Sequence, residues 1–569
     1  MDVNAHFQAS VKQTDAQPQT VLLSNALIPL ADGGYQRADV LLQDGVIKKL
    51  AESNTLKAKE GVQTLDCTER MLLPGFVNAH THSVQQWTRG LIKPLPLELW
   101  VMQNIRHEPR GACGWHGSSS FSETPSAVLG LSALHCGLES LLSGCTTVLD
   151  HIMIRNLDDL AAVAQAYKAL GVRAFLAPML NDDAVMYQNY IPLVNDGEAR
   201  NAHARNTGCA CCGMGPEGAF RTQPGASDAK KTAAMLALWE AAVERFHDPA
   251  NGIEIVIGPA TAYSASEALL RGAAALRRKY NLCGHTHLLE TRAQALMAKQ
   301  FLPSGSAVRH LHETGFLQGR GTSCAHTIWL EDDEMALMAE AGASCVHNPL
   351  SNLRLGSGVM PLDKLLDKGV NVAMGCDGAA SGDGQDILEA IKLATTLPCV
   401  LSAEYRRWPA ARRAALTLAA KNGYQAVGMG GQAGEIVEGA CADLTLWDLT
   451  ALSLLPRTDP LSLLVLGSRT QAAGAGSALH SCWVRGRQVV ADGSPCGVDV
   501  RQLRVALRAL QPEFRDPSIT DPATDASTAA SEVEYRAAMG LDLEGKQEPT
   551  PHALKTYPKY RVLYDETLP

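Results

Sequence analysis

"GFVNAHTHSV", Gly75 to Val84, follows the apolar run "MLLPG" and sets two histidines one residue apart at the end of a candidate strand. In a strand, positions i and i+2 lie on the same face, so His80 and His82 project together from one edge of a sheet. Two imidazoles aimed at one point suggest a metal ion, and the rest of the chain is expected to supply its other ligands.

Outward from this stretch, between Gly75 and about Asp377, short apolar runs alternate with longer helical patterns, the sign of repeated β-α units. The candidate strands are "FVNAHTH", "TTVLD", "RAFLAPML", "IEIVIGP", "LCGHTHLLE", "TSCAH", "ASCVHNP" and "NVAMGCD". This alternation predicts an α/β fold, a (β/α)8 TIM-like barrel. Thr124 and Pro125 stand as N-cap and first helical residue before the apolar periodicity of "SAVLGLSALHCGLESLL", and Gly144 follows its end. A doubly wound open sheet alternates in the same way, but no Gly-rich phosphate loop follows the first strand.

The polar residues favour the barrel. They fall at the strand C-termini: His80 and His82 on the first, Asp150 and His151 on the second, and His285, His287 and Glu290 on the fifth. His326, His347 and Asp377 end the sixth, seventh and eighth. Barrel enzymes gather their catalytic groups at that end, whereas an open sheet would keep strands one and eight apart.

Composition narrows the function classes. The chain has 569 residues, 46% hydrophobic and 19% charged, with Lys+Arg 50 against Asp+Glu 59 and a net charge of -9. Nothing concentrates positive charge for phosphates, so no nucleic-acid partner is expected. No basic, apolar leader opens the chain and no window holds about 18 uninterrupted apolar residues, so a cytoplasmic protein without a membrane partner is expected. The 15 cysteines, an odd number scattered through strands and helices, read as reduced core thiols. The densest cluster, Cys209, Cys211 and Cys212, lies in a Gly-rich stretch at 201–228 that reads as a long loop with exposed thiols.

"PGFVNAHTH", "THLLET", "CAHTIWL", "HNPLSNLRLGSG" and "GCDGAAS", in that order, resemble the amidohydrolase superfamily, in particular its branch of amino-heterocycle deaminases and triazine hydrolases. The resemblance runs from about Val21 to Gly493. It implies that His80, His82, His287 and Asp377 hold one divalent metal, zinc or iron, with Glu290 and His326 flanking an activated water. Three imidazoles and a carboxylate leave a position open for that water, whose pKa the metal lowers toward ~7. Two-metal relatives bridge their ions with a carboxylated lysine on the fourth strand, and "NGIEIVIGPA" has no lysine.

The implied catalytic residues are Glu290, His326 and Asp377. Water attacks the ring carbon that bears an exocyclic amine, Glu290 protonates the adjacent ring nitrogen, His326 orients the water and Asp377 carries a proton toward departing ammonia. Triazine dechlorinases of this branch can lack the glutamate that Glu290 matches, which tilts the expectation toward deamination. The alternatives are the same metal chemistry on a C–Cl, urea or amide bond, and a catalytically inactive barrel scaffold.

The expected partner is a small heterocyclic substrate, a purine, pterin, triazine or similar ring. On the first loop, Gln85 and Trp87 offer an amide and an aromatic face to such a ring. Nucleoside deaminases of the branch tend to carry a histidine in "GPHxPY" after strand four, where this chain reads "GPATAYSAS" with Ala260. That departure weakens an adenosine-like assignment. Elsewhere, His285 reads as a core histidine, Asp150 and His151 as pocket supports or backbone partners, His347 and Asn348 as braces of the seventh loop, and Arg354 equally as a solvated loop charge.

Strand and turn signals at 20–73 and 434–500 predict a small composite β-sandwich domain flanking a barrel at 74–433. Residues 1–19 and the C-terminal extension 501–569 are weakly periodic and expected to be partly disordered, with a helix at "EVEYRAAMGL" and a tail that packs on a partner subunit in a homodimer or higher homo-oligomer.

Overall fold

The apolar stretch ahead of the paired histidines becomes the strand Phe76–Thr81, buried along its whole length. In the computed structural model, which describes residues 2–12, 19–30, 32–92, 94–98, 100–101, 125–182, 229–467 and 478–510, it is the first of eight parallel strands. The others are Cys145–Ile152, Arg173–Leu180, a fourth split into Ile253–Ile255 and Gly258–Pro259, Gly284–Leu288, Thr322–His326, Ser344–His347 and Asn371–Met374. Parallel ladders join strands one to four and five to eight.

Two seams close the ring. At one, Ile257 bridges Gly284 and Thr261 bridges His287, both in parallel. At the other, the Asp377 N–H donates to the His80 carbonyl at 2.9 Å and the Cys376 N–H donates to Asn78 Oδ1 at 2.9 Å. Strands one and eight therefore touch, as a closed barrel requires and an open sheet forbids. Val77, Leu149, Phe175, Val256, Cys283, Val346 and Ala373 form a core of their own inside the barrel. A larger apolar layer packs between the strands and the surrounding helices.

The pairing of strands one and two shifts register between Asn78 and Thr81. Val77 and Ala79 belong to the interior cluster, so a regular pleat would turn His80 and His82 outward. The irregularity reverses the alternation, and both imidazoles enter the barrel while the Thr81 hydroxyl turns to the Asp377 carbonyl, 3.1 Å away. Bulges beside active sites commonly re-aim side chains in this manner.

Both flanks contribute to one nine-stranded sheet, joined where Arg70–Pro74 pairs antiparallel with Leu444–Asp448. Its core is separate from the barrel's and includes Leu23, Val40, Ile47, Leu72, Leu446 and Trp483. A buried ion pair fastens it to the barrel: Arg173, on the third strand, lies 3.1 Å from Asp443, which also accepts from the Tyr424 hydroxyl at 3.1 Å and the Arg485 N–H at 2.6 Å. Removing one partner of such a pair leaves an uncompensated buried charge. Asp443→Ala is expected to cost about 3–5 kcal/mol of unfolding free energy in urea titrations; a loss well under 1 kcal/mol would show that water reaches Arg173.

The N-terminal stretch differs from the expectation of disorder. Val3–Ser10 is a helix capped by Asp2, with Val3 and Phe7, one turn apart, buried on one face. Gly130 makes room for it, since a Cβ there would come within 2.8 Å of the Phe7 ring. The start of the C-terminal extension is likewise ordered as the helix Val500–Leu510, with Leu503, Ala506 and Leu510 inward. The barrel helix Ser126–Leu142 begins after Pro125 at its N-cap. Thr124, the cysteines of 201–228, "EVEYRAAMGL" and the rest of the extension lie outside the described residues. The described cysteines are free thiols, most of them buried. Among the described residues no helix is long and apolar enough to cross a membrane.

Candidate active site

The C-terminal ends of strands one, five, six and eight converge, and their backbones turn sharply there. Leu289, His326, Thr327 and Asp377 adopt φ of 49°, 72°, 46° and 63°, a left-handed conformation that non-glycine residues hold only when their surroundings impose it. These turns point His287, Glu290, His326 and Asp377 at His80 and His82. The His82 and His287 Nε2 atoms are 3.1 Å apart, and Asp377 Oδ1 lies 3.3 Å from His80 Nε2 and 3.4 Å from His82 Nε2. His326 Nε2 stands 3.6 Å from Glu290 Oε2 and 3.9 Å from Asp377 Oδ2.

The hydrogen bonds behind these atoms decide what can occupy the centre. The His82 Nδ1–H donates to the His151 carbonyl at 2.5 Å and the His287 Nδ1–H to the Ala260 carbonyl at 2.7 Å. A carbonyl only accepts, so both Nδ1 atoms carry the proton and both Nε2 atoms present lone pairs. Burial pushes His287 down to about 3 and His80 well below the usual imidazole range, so the rings are neutral. His80 Nδ1 is 2.8 Å from His285 Nε2, whose Nδ1 is 2.7 Å from the Ser323 hydroxyl, while His80 Nε2 is buried without a hydrogen-bond partner.

Lone pairs and a carboxylate oxygen facing one another at this range repel unless a cation lies between them. A tetrahedral zinc site with ~2.0–2.1 Å bonds has ligand edges of about 3.3–3.4 Å, close to those seen here. The residues present therefore fit one divalent metal, and the carbonyls and His285 supply the outer hydrogen bonds that ligating imidazoles need. Asp377 Oδ1 also accepts from the Gly378 N–H at 2.7 Å.

Glu290 is the exception among the acids. Burial raises its carboxyl to about 7. It is thus poised to take or give a proton at neutral pH.

Of the two residues expected to hold substrate, Gln85 stands beside the centre. It packs on Gly378, where a Cβ would come within 1.9 Å of its Oε1, and that oxygen is buried without a partner. Trp87 does not reach the centre: its indole N–H donates to the Val128 carbonyl at 3.3 Å and its ring joins the outer core. The stretch Ser83–Thr88 is a 3-10 helix, which places positions 85 and 87 about 240° apart. Asp150 accepts from the Ser83 N–H and the Tyr167 hydroxyl, both at 2.9 Å, and braces that turn. His151 stacks on His287 at 4.9 Å between ring centres. His347 is buried and pushed down to about 3.

Arg354 is not a solvated charge, since its guanidinium donates to the Ile92 carbonyl at 3.1 Å and to Asp383 at 3.3 Å. The first loop is thereby tied to the seventh and eighth, together with a small apolar cluster of Ile92, Leu97, Trp100, Leu355 and Ala380. Sequence reasoning missed Ser323, Ser351, Asn352 and Ser357, which all touch a site residue. Three of them sit inside a motif already singled out, but a serine or asparagine in a loop carries no mark of its distant partner.

A family model described as the amidohydrolase family matches residues 71–486. The chain belongs to the amidohydrolase family. All of the converging residues lie inside the matched span. Among its curated relatives, a 5-methylthioadenosine/S-adenosylhomocysteine deaminase of Thermococcus kodakarensis is 32% identical over 429 residues, 75% of this chain and 85% of the relative. A 5'-deoxyadenosine deaminase of Methanothermobacter thermautotrophicus is 28% identical over 479 residues, 84% and 94% of the two chains. Two solved structures share the fold. An atrazine chlorohydrolase from Arthrobacter aurescens, complexed with zinc, superposes with a TM-score of 0.69 at 22% identity, over 86% of this chain and 100% of that one. An adenosine deaminase from Xanthomonas campestris with bound zinc gives 0.67 at 23% identity, over 87% and 98%.

Proposed function

We propose that this amidohydrolase is a metal-dependent hydrolytic deaminase that replaces the exocyclic amine of an amino-substituted N-heterocycle with oxygen and releases ammonia. The observation that carries the reading is the buried Glu290 carboxyl, raised to about 7 and set beside His326 at the edge of the lone-pair cluster. His80, His82, His287 and Asp377 Oδ1 would hold one zinc or iron ion. When bound, that ion lowers the pKa of a coordinated water toward about 7.

The remaining steps belong to the protein. Glu290 takes a proton from the attacking water and delivers it to the ring nitrogen next to the attacked carbon, which cancels the charge that develops there. His326 Nε2, a lone pair because its Nδ1–H donates to Asn352 Oδ1 at 2.8 Å, orients the water. Asp377 Oδ2 takes the remaining proton of the added water oxygen and passes it to the leaving amine, which departs as ammonia while the ring carbon becomes a carbonyl. A simple aliphatic amide offers no ring nitrogen, so an amidine-like N=C–NH₂ unit is the natural substrate.

The names of the curated relatives put the 6-aminopurine of adenosine derivatives first among such rings. This outweighs the departure at Ala260, whose carbonyl here serves to orient His287. The second reading, hydrolysis of a C–Cl bond, is supported by the fold shared with an atrazine chlorohydrolase. A cytoplasmic enzyme fits the free thiols; homo-oligomerisation remains part of the proposal, to be read by sedimentation.

The test is an ammonia-release screen of metal-loaded protein over adenosine, 5'-deoxyadenosine, methylthioadenosine, guanine, pterin, cytosine and amino-triazines, beside ureas, amides and chloro-triazines. Ammonia from the aminopurine nucleosides, with the matching oxo-purine, is the expected result. Turnover confined to the ureas, amides and chloro-triazines would replace the deaminase reading with the second.

A further inference from the structure

The segment after the seventh strand runs through the short helix Pro349–Arg354 and on to Ser357. Three of its side chains end on three different groups of the site. The Ser351 hydroxyl donates to Asp377 Oδ2 at 2.6 Å, Asn352 Oδ1 accepts from the His326 Nδ1–H at 2.8 Å, and the Ser357 hydroxyl donates to Glu290 Oε1 at 3.1 Å. All three side chains are buried, so these bonds do not compete with water.

The segment is itself held rigid. The Asn352 N–H donates to the Asn348 carbonyl at 3.0 Å and the Ser357 N–H to the Asn352 carbonyl at 2.9 Å, which fixes the spacing between the three side chains. Pro349 opens the helix where a missing N–H costs nothing. At the outer end Arg354 is fastened to Ile92 and Asp383.

We propose that residues 351–357 act as one positioning unit that sets the orientations of Asp377, His326 and Glu290 together, with Asn352 as its decisive member. None of the three is a catalytic residue, because each acts through another side chain. The weight falls on Asn352 because its amide oxygen can only accept. It holds the His326 proton on Nδ1 and turns the Nε2 lone pair toward Glu290 and Asp377. Ser351 and Ser357 each donate to one oxygen of a carboxylate, Oδ2 on Asp377 and Oε1 on Glu290, while Asp377 Oδ1 faces His80 and His82 and Glu290 Oε2 faces His326. The inference rests on the deaminase reading for the reaction to be measured, but not for the tautomer.

Asn352→Leu removes the acceptor at similar volume, and Asn352→Asp keeps one. For metal-loaded protein, Asn352→Leu is expected to lower kcat at least about 10²-fold, toward the roughly 10⁴-fold cost of a wrong histidine tautomer in a hydrolytic triad, with KM, metal content and thermal midpoint nearly unchanged. Asn352→Asp should restore most of the loss. Independently of any substrate, ¹⁵N NMR of histidine-labelled, zinc-loaded protein should show His326 protonated on Nδ1 in the wild type and a mixture of tautomers in Asn352→Leu. Ser351→Ala with Ser357→Ala should lose less together than the sum of the single losses, as members of one unit do.

An unchanged His326 signal in Asn352→Leu would overturn the proposal, and so would an Asn352→Asp variant as slow as Asn352→Leu. A protein that turns over none of the tested heterocycles yet shows the tautomer change would refute the deaminase reading and uphold the positioning unit.

Discussion

Glu290→Gln is expected to reduce turnover by about 10²- to 10⁴-fold while the protein keeps its metal. Glutamine is close to glutamate in shape and still accepts from the Ser357 hydroxyl, so packing and the ligand set are preserved. What disappears is a group whose proton moves on and off near neutral pH, because burial has lifted the Glu290 carboxyl to about 7. Elemental analysis alongside steady-state kinetics separates the two effects. Metal lost in step with activity would place Glu290 among the ligands and overturn its assignment as the proton carrier.

The second large effect is on the metal. Purified protein is expected to hold about one equivalent of zinc or iron per chain, and a chelator should remove both metal and activity, with one equivalent of added zinc restoring them. The expectation of a single seat comes from the geometry: His80, His82 and one oxygen of Asp377 cluster together, and His287 Nε2 lies 3.1 Å from His82 Nε2. The fourth strand offers no bridging group, since Glu254, its acidic residue, turns away to Arg320 at 2.8 Å. A ligand that binds only the folded state at 100 to 1,000 times its Kd adds about 2.7–4.1 kcal/mol of stability, so the melting midpoint should fall on chelation. His82→Ala should lose metal and activity together, in contrast to Glu290→Gln. Two equivalents in the wild type, or full activity after chelation, would refute a single catalytic ion.

Much of this could be read in advance. The eight barrel strands lie where short apolar runs alternate with helical periodicity, because strands buried on both faces must be apolar throughout and parallel strands need a helix between them. The converging histidines and carboxylates were recognisable from their places at strand ends. The misreadings share a cause. Trp87 and Gln85 look equivalent two residues apart in a loop, and only the 3-10 turn separates them. Val3 and Phe7 are too few to mark a helix until Gly130 offers them a surface. Arg354 looks like a surface charge because its partners, Ile92 and Asp383, are remote in sequence.

By itself, then, the sequence determined the local order: which segments are strands, which residues share a face, and which chemistry is gathered at one end of the barrel. Those are properties of short-range periodicity and of side-chain type, and they survive without knowledge of any distant contact. Only the tertiary structure decided which way each group faces. The register shift between Asn78 and Thr81, set by pairing with the second strand, turns His80 and His82 into the lumen that regular alternation would have denied them. The closure of strand eight on strand one brings Asp377 within 3.4 Å of His82 across nearly three hundred residues of chain. The Ser351, Asn352 and Ser357 side chains acquire their meaning from acceptors and donors on three other strands. The physical reason is the same in each case: a hydrogen bond or a metal ligand is specified by a distance and an angle between partners, and when those partners are far apart in the chain, that geometry exists only once the whole barrel has closed.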